Sequence, residues 1–295
     1  MNDVFYILIR NAKYAKGYSH LSLYAPIWLV LLSVHVNAQN VQSTPMLDLP
    51  AISGEQVRTA TDFLIKTRSL DYEARQRAAA EWILEGQIPS FLRELVPVSF
   101  KNTNNEKAVI LVTCDYMSIG TEGDFIRMPL SLPAARKIAS SLGMYLPTSV
   151  MVDSIYSKAH VKLQPIPMQP GEQMRSNDYY RRHQQMIEKQ LKGVEKGRLV
   201  SGHKKDVVIT NRLIEQIGRL AIYGWHYAVD DPIQPLSLVH SEDYEDYSHG
   251  LRLIYPTAKV NGEAVELKKL INRPEWNMIF TKEGVINIES LSHGE

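Results

Sequence analysis

The hydrophobic period changes once along this chain, and that change limits the fold more than any other feature. From Ser53 to about Leu95 the apolar residues recur at helical spacing, while beyond Arg198 they recur with period two. Ser53 is the expected cap of a first helix with Val57, Ala60, Phe63 and Leu64 on one face, and Asp71–Leu84 forms a second that Gly86 closes. A hairpin then pairs Val96–Phe100 with Lys107–Cys114, whose unbroken apolar run Ala108–Val112 predicts burial on both faces. Ser131, Thr148 and Ser176 each cap a further helix, with Pro165, Pro167 and Pro170 marking a linker between the last two. After these come five segments that read as strands: Arg198–Ser201, Asp206–Thr210, Arg219–Tyr227, Ile233–His240 and His249–Tyr255. Helices mostly precede strands, and there is no regular βαβ alternation. The expected fold is α+β, an N-terminal helical layer plus a largely antiparallel C-terminal sheet.

Residues 1–38 read as a secretory signal peptide. Arg10, Lys13 and Lys16 precede the apolar run Ala25–Val36, and Val36-Asn37-Ala38 has the small-x-small form of a cleavage site. Residues 39–52 read as a flexible mature N-terminus. Residues 53–295 read as a single domain with a helical part (53–95), a mixed part (96–192) and a strand-rich part (193–295). The expected location is secreted or periplasmic, with no membrane-spanning segment in the mature chain.

Charge narrows the partners. The whole chain carries +1; removing Arg10, Lys13, Lys16 and Asp3 with residues 1–38 takes away +2 and leaves −1. A near-neutral domain is no match for nucleic acid. Arg175–Lys205 is an exception within the chain, with nine basic and three acidic residues. That stretch points to a polymeric or oligomeric envelope substrate of anionic character. The single cysteine, Cys114, excludes an intramolecular disulfide, and its place at the end of an apolar strand reads as structural.

Chemistry concentrates between Gly197 and Tyr255, which hold four of the nine histidines, five tyrosines and an acidic run. His240 and His249 bracket a loop containing Tyr244, Asp246 and Tyr247; imidazoles beside carboxylates suit general acid–base work, and a nearby phenol can stabilise charge. Gly202 lets the chain turn so that His203 projects near Asp206, followed by the cations Lys204 and Lys205. Gly224 beside Trp225, His226 and Tyr227 suggests a bulge or a ligand-facing aromatic strand. The expected catalytic set is therefore His240, His249, Asp246, Tyr244, Tyr247, His203 and Asp206, and the expected substrate-binding set is Trp225, His226, Tyr227, Lys204 and Lys205.

No metal ligand is assigned and no cofactor is expected: the residue types of a zinc site are present, but no His-Glu-x-x-His or paired-cysteine spacing is. Gly-x-Ser-x-Gly, the phosphate-binding loop and Gly-x-Gly-x-x-Gly are also lacking. Two functional readings remain beside that of a structural envelope protein with no small ligand. One is a hydrolase or lyase acting on a cell-envelope or extracellular polymer such as peptidoglycan or an acidic glycan. The other is a non-catalytic carbohydrate- or peptide-binding protein with an aromatic platform at Trp225, Tyr227 and Tyr223. Whether His203 and His226 meet His240 and His249 depends on one crossing connection that local sequence does not specify.

Overall fold

A computed structural model describes residues 45–294, and the signal-peptide reading of residues 1–38 lies outside them. The described part belongs to a single compact unit that takes in the helical, mixed and strand-rich parts together. It is a mixed α+β fold.

The N-terminal layer is α1 (Ala60–Thr67) and α2 (Tyr72–Leu84). Helix α1 begins later than the Ser53 cap predicts. Gly54 takes a positive φ, residues 54–56 form one 3-10 turn, and the chain then extends at Val57. The cap belongs to Thr59, whose hydroxyl accepts from the Asp62 amide while Asp62 accepts from the Thr59 amide. Asp71 caps α2 as its position implies. Residues 45–50 are docked where a free tether was expected: Leu47 is buried, its amide bonds Arg93 O, and the Arg93 guanidinium holds the carbonyls of Leu49 and Pro50.

Strands β1 (Leu95–Lys101) and β2 (Lys107–Thr113) form the expected hairpin. On β2, Ala108, Ile110 and Val112 are fully buried, whereas Val109 and Leu111 on the other face are half-buried. A short hairpin of β3 (Ser118–Gly120) and β4 (Phe125–Arg127) follows, then α3 (Leu132–Ser141) and α4 (Ser149–Lys158). Strand β5 (Val161–Lys162) leads through the proline-rich stretch to α5 (Asn177–Gln190), capped by Ser176.

The next elements are β6 (Val200–Ser201), β7 (Lys205–Val207), the short α6 (Arg212–Glu215), β8 (Ile222–Ala228), β9 (Asp231–Ser237) and β10 (His249–Gly250). The chain ends in the hairpin β11 (Thr257–Val260) and β12 (Glu263–Glu266), followed by α7 (Leu267–Leu270), α8 (Pro274–Phe280) and α9 (Ile288–His293). The Asn261-Gly262 turn joins β11 and β12 with both residues at positive φ. Helices α8 and α9 carry little amphipathic signal in sequence, yet Trp276, Phe280 and Ile288 are buried.

Two four-stranded sheets organise the domain. One runs β1-β2-β11-β12, entirely antiparallel, so that the last hairpin completes the sheet begun by the first. The other runs β10-β7-β8-β9. Within it β7, β8 and β9 are antiparallel, but β10 lies parallel to β7, with His249 opposite Lys205 and Gly250 opposite Asp206. Strand β10 thus sits at the far edge from β9. The acidic segment between them crosses the sheet end, where a simple hairpin loop would have stayed on one side.

Candidate functional site

That crossing folds the acidic loop inward. Glu245, Asp246, Tyr247 and Ser248 are buried, although a sequence this polar reads as a solvated turn. Glu245 supplies part of the reason. Its carboxylate receives Arg175 at 2.8 Å and the Tyr180 hydroxyl at 3.1 Å, with Arg75 3.5 Å away. It pins the loop to α2 and α5. The next residue, Asp246, faces the site: Oδ1 accepts from the amide and hydroxyl of Ser248, and Oδ2 accepts from the Tyr244 hydroxyl at 3.1 Å.

His240 and His249 are brought together through Tyr244. Its ring stacks on His240 at 4.0 Å and meets His249 edge-on at 5.7 Å. His249 Nε2 lies 3.9 Å from Asp246 Oδ2, an ion-pair distance and not a hydrogen bond. His249 is fully buried, and burial pushes its pKa down to about 4 against the pull of Asp246. Burial pushes Asp246 up, but a protonated His249, Lys205 and the Ser248 bonds outweigh this and hold it at about 2. The half-buried His240 is lowered by burial as well. Gly250 beside His249 is dictated by contact: a Cβ there would stand 2.5 Å from Tyr116 Cδ1.

Residues 203–206 form the second half. Gly202 takes φ +100, and a Cβ on it would stand 2.4 Å from Leu163 O. His203, buried, places Nε2 3.2 Å from Asp115 Oδ1, and Asp115 is in turn held at Oδ2 by Arg127 at 2.7 and 2.9 Å. Burial would raise Asp115; Arg127 and His203 overcome it and keep the carboxylate well below its usual range. Burial pulls His203 down to about 4. Lys204, also buried, donates to Tyr247 O at 2.7 Å, and burial brings it down to about 7. Asp206 accepts from Tyr116 at 2.7 Å, sits 3.8 Å from Arg252 Nε, and is raised by burial to about 6. It is therefore separated from His203, whose carboxylate partner is Asp115.

Strand β8 supplies the rest. Gly224 and Trp225 both have positive φ; the β8–β9 register shifts between Ile222 and Gly224 and again between His226 and Ala228, so the irregularities flank the Gly-Trp pair and do not fall on it. Trp225 at φ 60 is strained by about 1–3 kcal/mol. It is only 5% exposed, with the Lys205 ammonium 5.2 Å above its ring. Lys205, half-buried, is itself lowered by burial. An aromatic platform needs Trp225 at the surface; Tyr227 alone of the three is exposed, and Tyr223 is half-buried. His226 turns the other way, stacked on Tyr156 with Nε2 3.0 Å from Asp153, which also accepts from Tyr223. Tyr247 is anchored through its hydroxyl, which accepts from the Met168 amide, and its ring lies 4.9 Å from that of His183.

Sequence reasoning missed Asp115, Tyr116, Arg127, His183 and Arg252. Their signal is a lone charge or imidazole in an apolar context: Arg127 in Phe-Ile-Arg-Met, Arg252 in Leu-Arg-Leu-Ile, His183 on the buried stripe of α5. Such groups are buried only with a purpose or a partner. Cys114 is buried, donates to Phe91 O, and has its thiol pushed by burial up to about 12, as a structural cysteine would. Among the described residues, no three His, Cys, Asp or Glu side chains are arranged to hold a metal ion.

One observation stands out across the cluster. Nine buried side-chain nitrogen and oxygen atoms have no hydrogen-bond partner among the described residues. All but Arg75 Nε belong here: both ring nitrogens of His183 and of His249, His203 Nδ1, Asp206 Oδ1, Trp225 Nε1 and Arg252 Nε. No protein-family model matches the chain, and no curated protein and no solved structure matches it significantly. The fold and the site carry the functional argument alone.

Proposed function

We propose that this protein is an exported hydrolase or lyase acting on a cell-envelope or extracellular polymer by general acid–base chemistry, with its reacting centre at the His203–Lys204–Asp246–His249 cluster. The observation that supports it is the concentration of partnerless buried polar atoms at one place. Buried polar groups are otherwise paired, and each orphan costs about 1–3 kcal/mol. A scaffold gains nothing from collecting them, whereas a site that must receive a polar substrate needs them. In this reading His203, oriented by Asp115, and His249, facing Asp246, are neutral imidazoles ready to accept a proton. Asp246 stabilises the imidazolium that forms on His249. Lys204, near 7, exchanges a proton at the working pH, where such transfer is most effective. Lys205 and the Trp225 indole N–H meet developing negative charge. Half-buried His240 and Tyr244 lie on the solvent side of His249. Export rests on the sequence pattern of residues 1–38.

The test is turnover of peptidoglycan and of acidic glycans by the native protein, His203→Gln and His249→Gln, each with its thermal midpoint. The expected result is turnover by the native protein, a loss of at least a hundredfold in either variant, and a midpoint changed little, because a glutamine at 203 keeps an N–H for Asp115 and the His249 ring makes no hydrogen bond to lose. Full turnover in both variants, or none by the native protein on any of these polymers, sinks the proposal.

A further inference from the structure

Helix α5 has two working faces. His183 points inward to the Tyr247 ring, as described above. The other face lines an open groove of about 730 Å³. Its opposite wall is α1 with the β3–β4 hairpin, and Leu64, Phe125 and Leu191 give it an apolar floor. Along the α5 wall stand Arg181, Gln185 and Lys189, with Lys192 just past the helix end. All four are exposed, and none has a hydrogen bond, ion pair or ring contact among the described residues.

The acids of the groove are in the opposite condition. Glu188 accepts from Arg127 at 2.7 Å, Asp124 accepts from the Thr61 amide at 3.1 Å, and Glu122 accepts from the Ser90 hydroxyl. The carboxylates are engaged with the protein, and so is Lys196, which donates to Glu122 O and lies over the Phe91 and Phe125 rings; Arg181, Lys189 and Lys192 are not. Arg181 and Lys189 are eight residues apart, which on a helix is about 12 Å. A smaller cavity of about 70 Å³ adjoins the groove, sharing Phe125, Glu188, Leu191 and Lys196 with it, and is lined by Arg127 and Asp115. The ion pair that orients His203 therefore lines the adjoining cavity.

We infer that this groove is a binding site for a linear uronate oligosaccharide, with Arg181, Lys189 and Lys192 pairing with successive carboxylates. The free cations supply charge complementarity over a length no small anion spans. The free Gln185 amide and the acceptor oxygens between the cations suit sugar hydroxyls, which a uronate ring presents beside its carboxylate. The apolar floor suits the ring faces. Binding here does not depend on the reaction proposed above, and the two fail separately.

The experiment is calorimetric titration of the full chain with a galacturonate hexamer, a neutral glucose hexamer and a glutamate hexapeptide, at low and high salt. The same titrations are run on Lys189→Glu/Lys192→Glu and on Arg181→Glu, with thermal midpoints to confirm folding. The expected result is binding of the galacturonate hexamer alone, weakened at least tenfold by the double substitution and by high salt. Lack of galacturonate binding overturns the inference, as does unchanged affinity in the double variant. Equal or tighter binding of the glutamate peptide also overturns it, assigning the groove to acidic peptides. Galacturonate binding without turnover leaves the inference standing and counts against the hydrolase or lyase proposal.

Discussion

The two four-stranded sheets are made of similar short strands, yet they bury opposite things. The β1-β2-β11-β12 sheet encloses Ala108, Ile110 and Val112, and hydrophobic burial is enough to explain it. The β10-β7-β8-β9 sheet encloses Asp206, His226 and His249, and burial works against it. The adjacent acids of the crossing loop repeat the contrast on a smaller scale. Glu245 has its charge shared among Arg175, Tyr180 and Arg75, and acts as an anchor. Asp246 is held by Ser248 and Tyr244, and the histidine it faces, His249, is the group left without a hydrogen bond at either ring nitrogen. A polar group that is fully partnered holds the fold; one left unpartnered at the same depth is stability given up for another use.

The sharpest test of the contrast removes a charge from the polar region. Arg127→Ala leaves Asp115 buried with His203 as its remaining partner, and should lower unfolding free energy by about 3–5 kcal/mol in urea denaturation. A loss below about 1 kcal/mol would mean that Asp115 is not held as an ion in the fold. Next, Gly250→Ala drives a methyl into Tyr116 and should lower unfolding free energy by about 1–3 kcal/mol, an overpacking cost. A neutral result would show that Tyr116 can yield, and that the close approach is not what requires glycine. In the apolar sheet, Ile110→Val should lower it by only about 0.5–1.5 kcal/mol, since a well-packed core loses one methylene there.

A subtler effect is pH dependence. The folded pKa values of His203 and His249 are depressed to about 4 from 6.5. The unfolded chain therefore binds protons that the folded chain refuses. Their contribution is present above pH 6.5 and is lost as pH falls through 4. Asp206, raised from 3.8 to about 6, acts oppositely, contributing below 3.8 and losing that contribution as pH rises through 6. His249→Gln should flatten the slope of stability between pH 6.5 and 4 by up to one proton, read from urea midpoints; an unchanged slope would mean His249 carries its charge in the fold. The smallest effect belongs to Cys114. With its thiol buried and raised to about 12, the native protein should resist alkylation at pH 8 while the urea-unfolded chain reacts at once.

Much of the local structure was legible. Asp71, Thr148 and Ser176 cap the helices that their positions imply, and the Asn261-Gly262 turn forms where its φ preferences demand. The first helix was misplaced because Ser53 and Thr59 are both good caps in sequence, Ser53 with Gln56 three residues on and Thr59 with Asp62; the chain leaves helical geometry at Gly54 and Val57, and only the Thr59–Asp62 box forms. The site was half legible. Its histidines, tyrosines and lysines stand in one dense stretch of sequence, but Asp115, Arg127 and His183 come from the loop after β2, from β4 and from α5, and no spacing links them to residue 203.

The sequence by itself determined most of the longer helices and strands before residue 267, the caps of several of them, and which residues carry titratable groups, because those properties depend on neighbours within a few positions. The tertiary structure decided that β10 lies parallel beside β7, so that His249 is level with Lys205 and the acidic loop turns inward. A two-residue pairing between segments more than forty positions apart has no local signature; it follows from how the whole chain packs. That same packing made Asp115 the partner of His203, buried Trp225 beneath Lys205, and left the imidazoles of His183 and His249 without hydrogen-bond partners among the described residues.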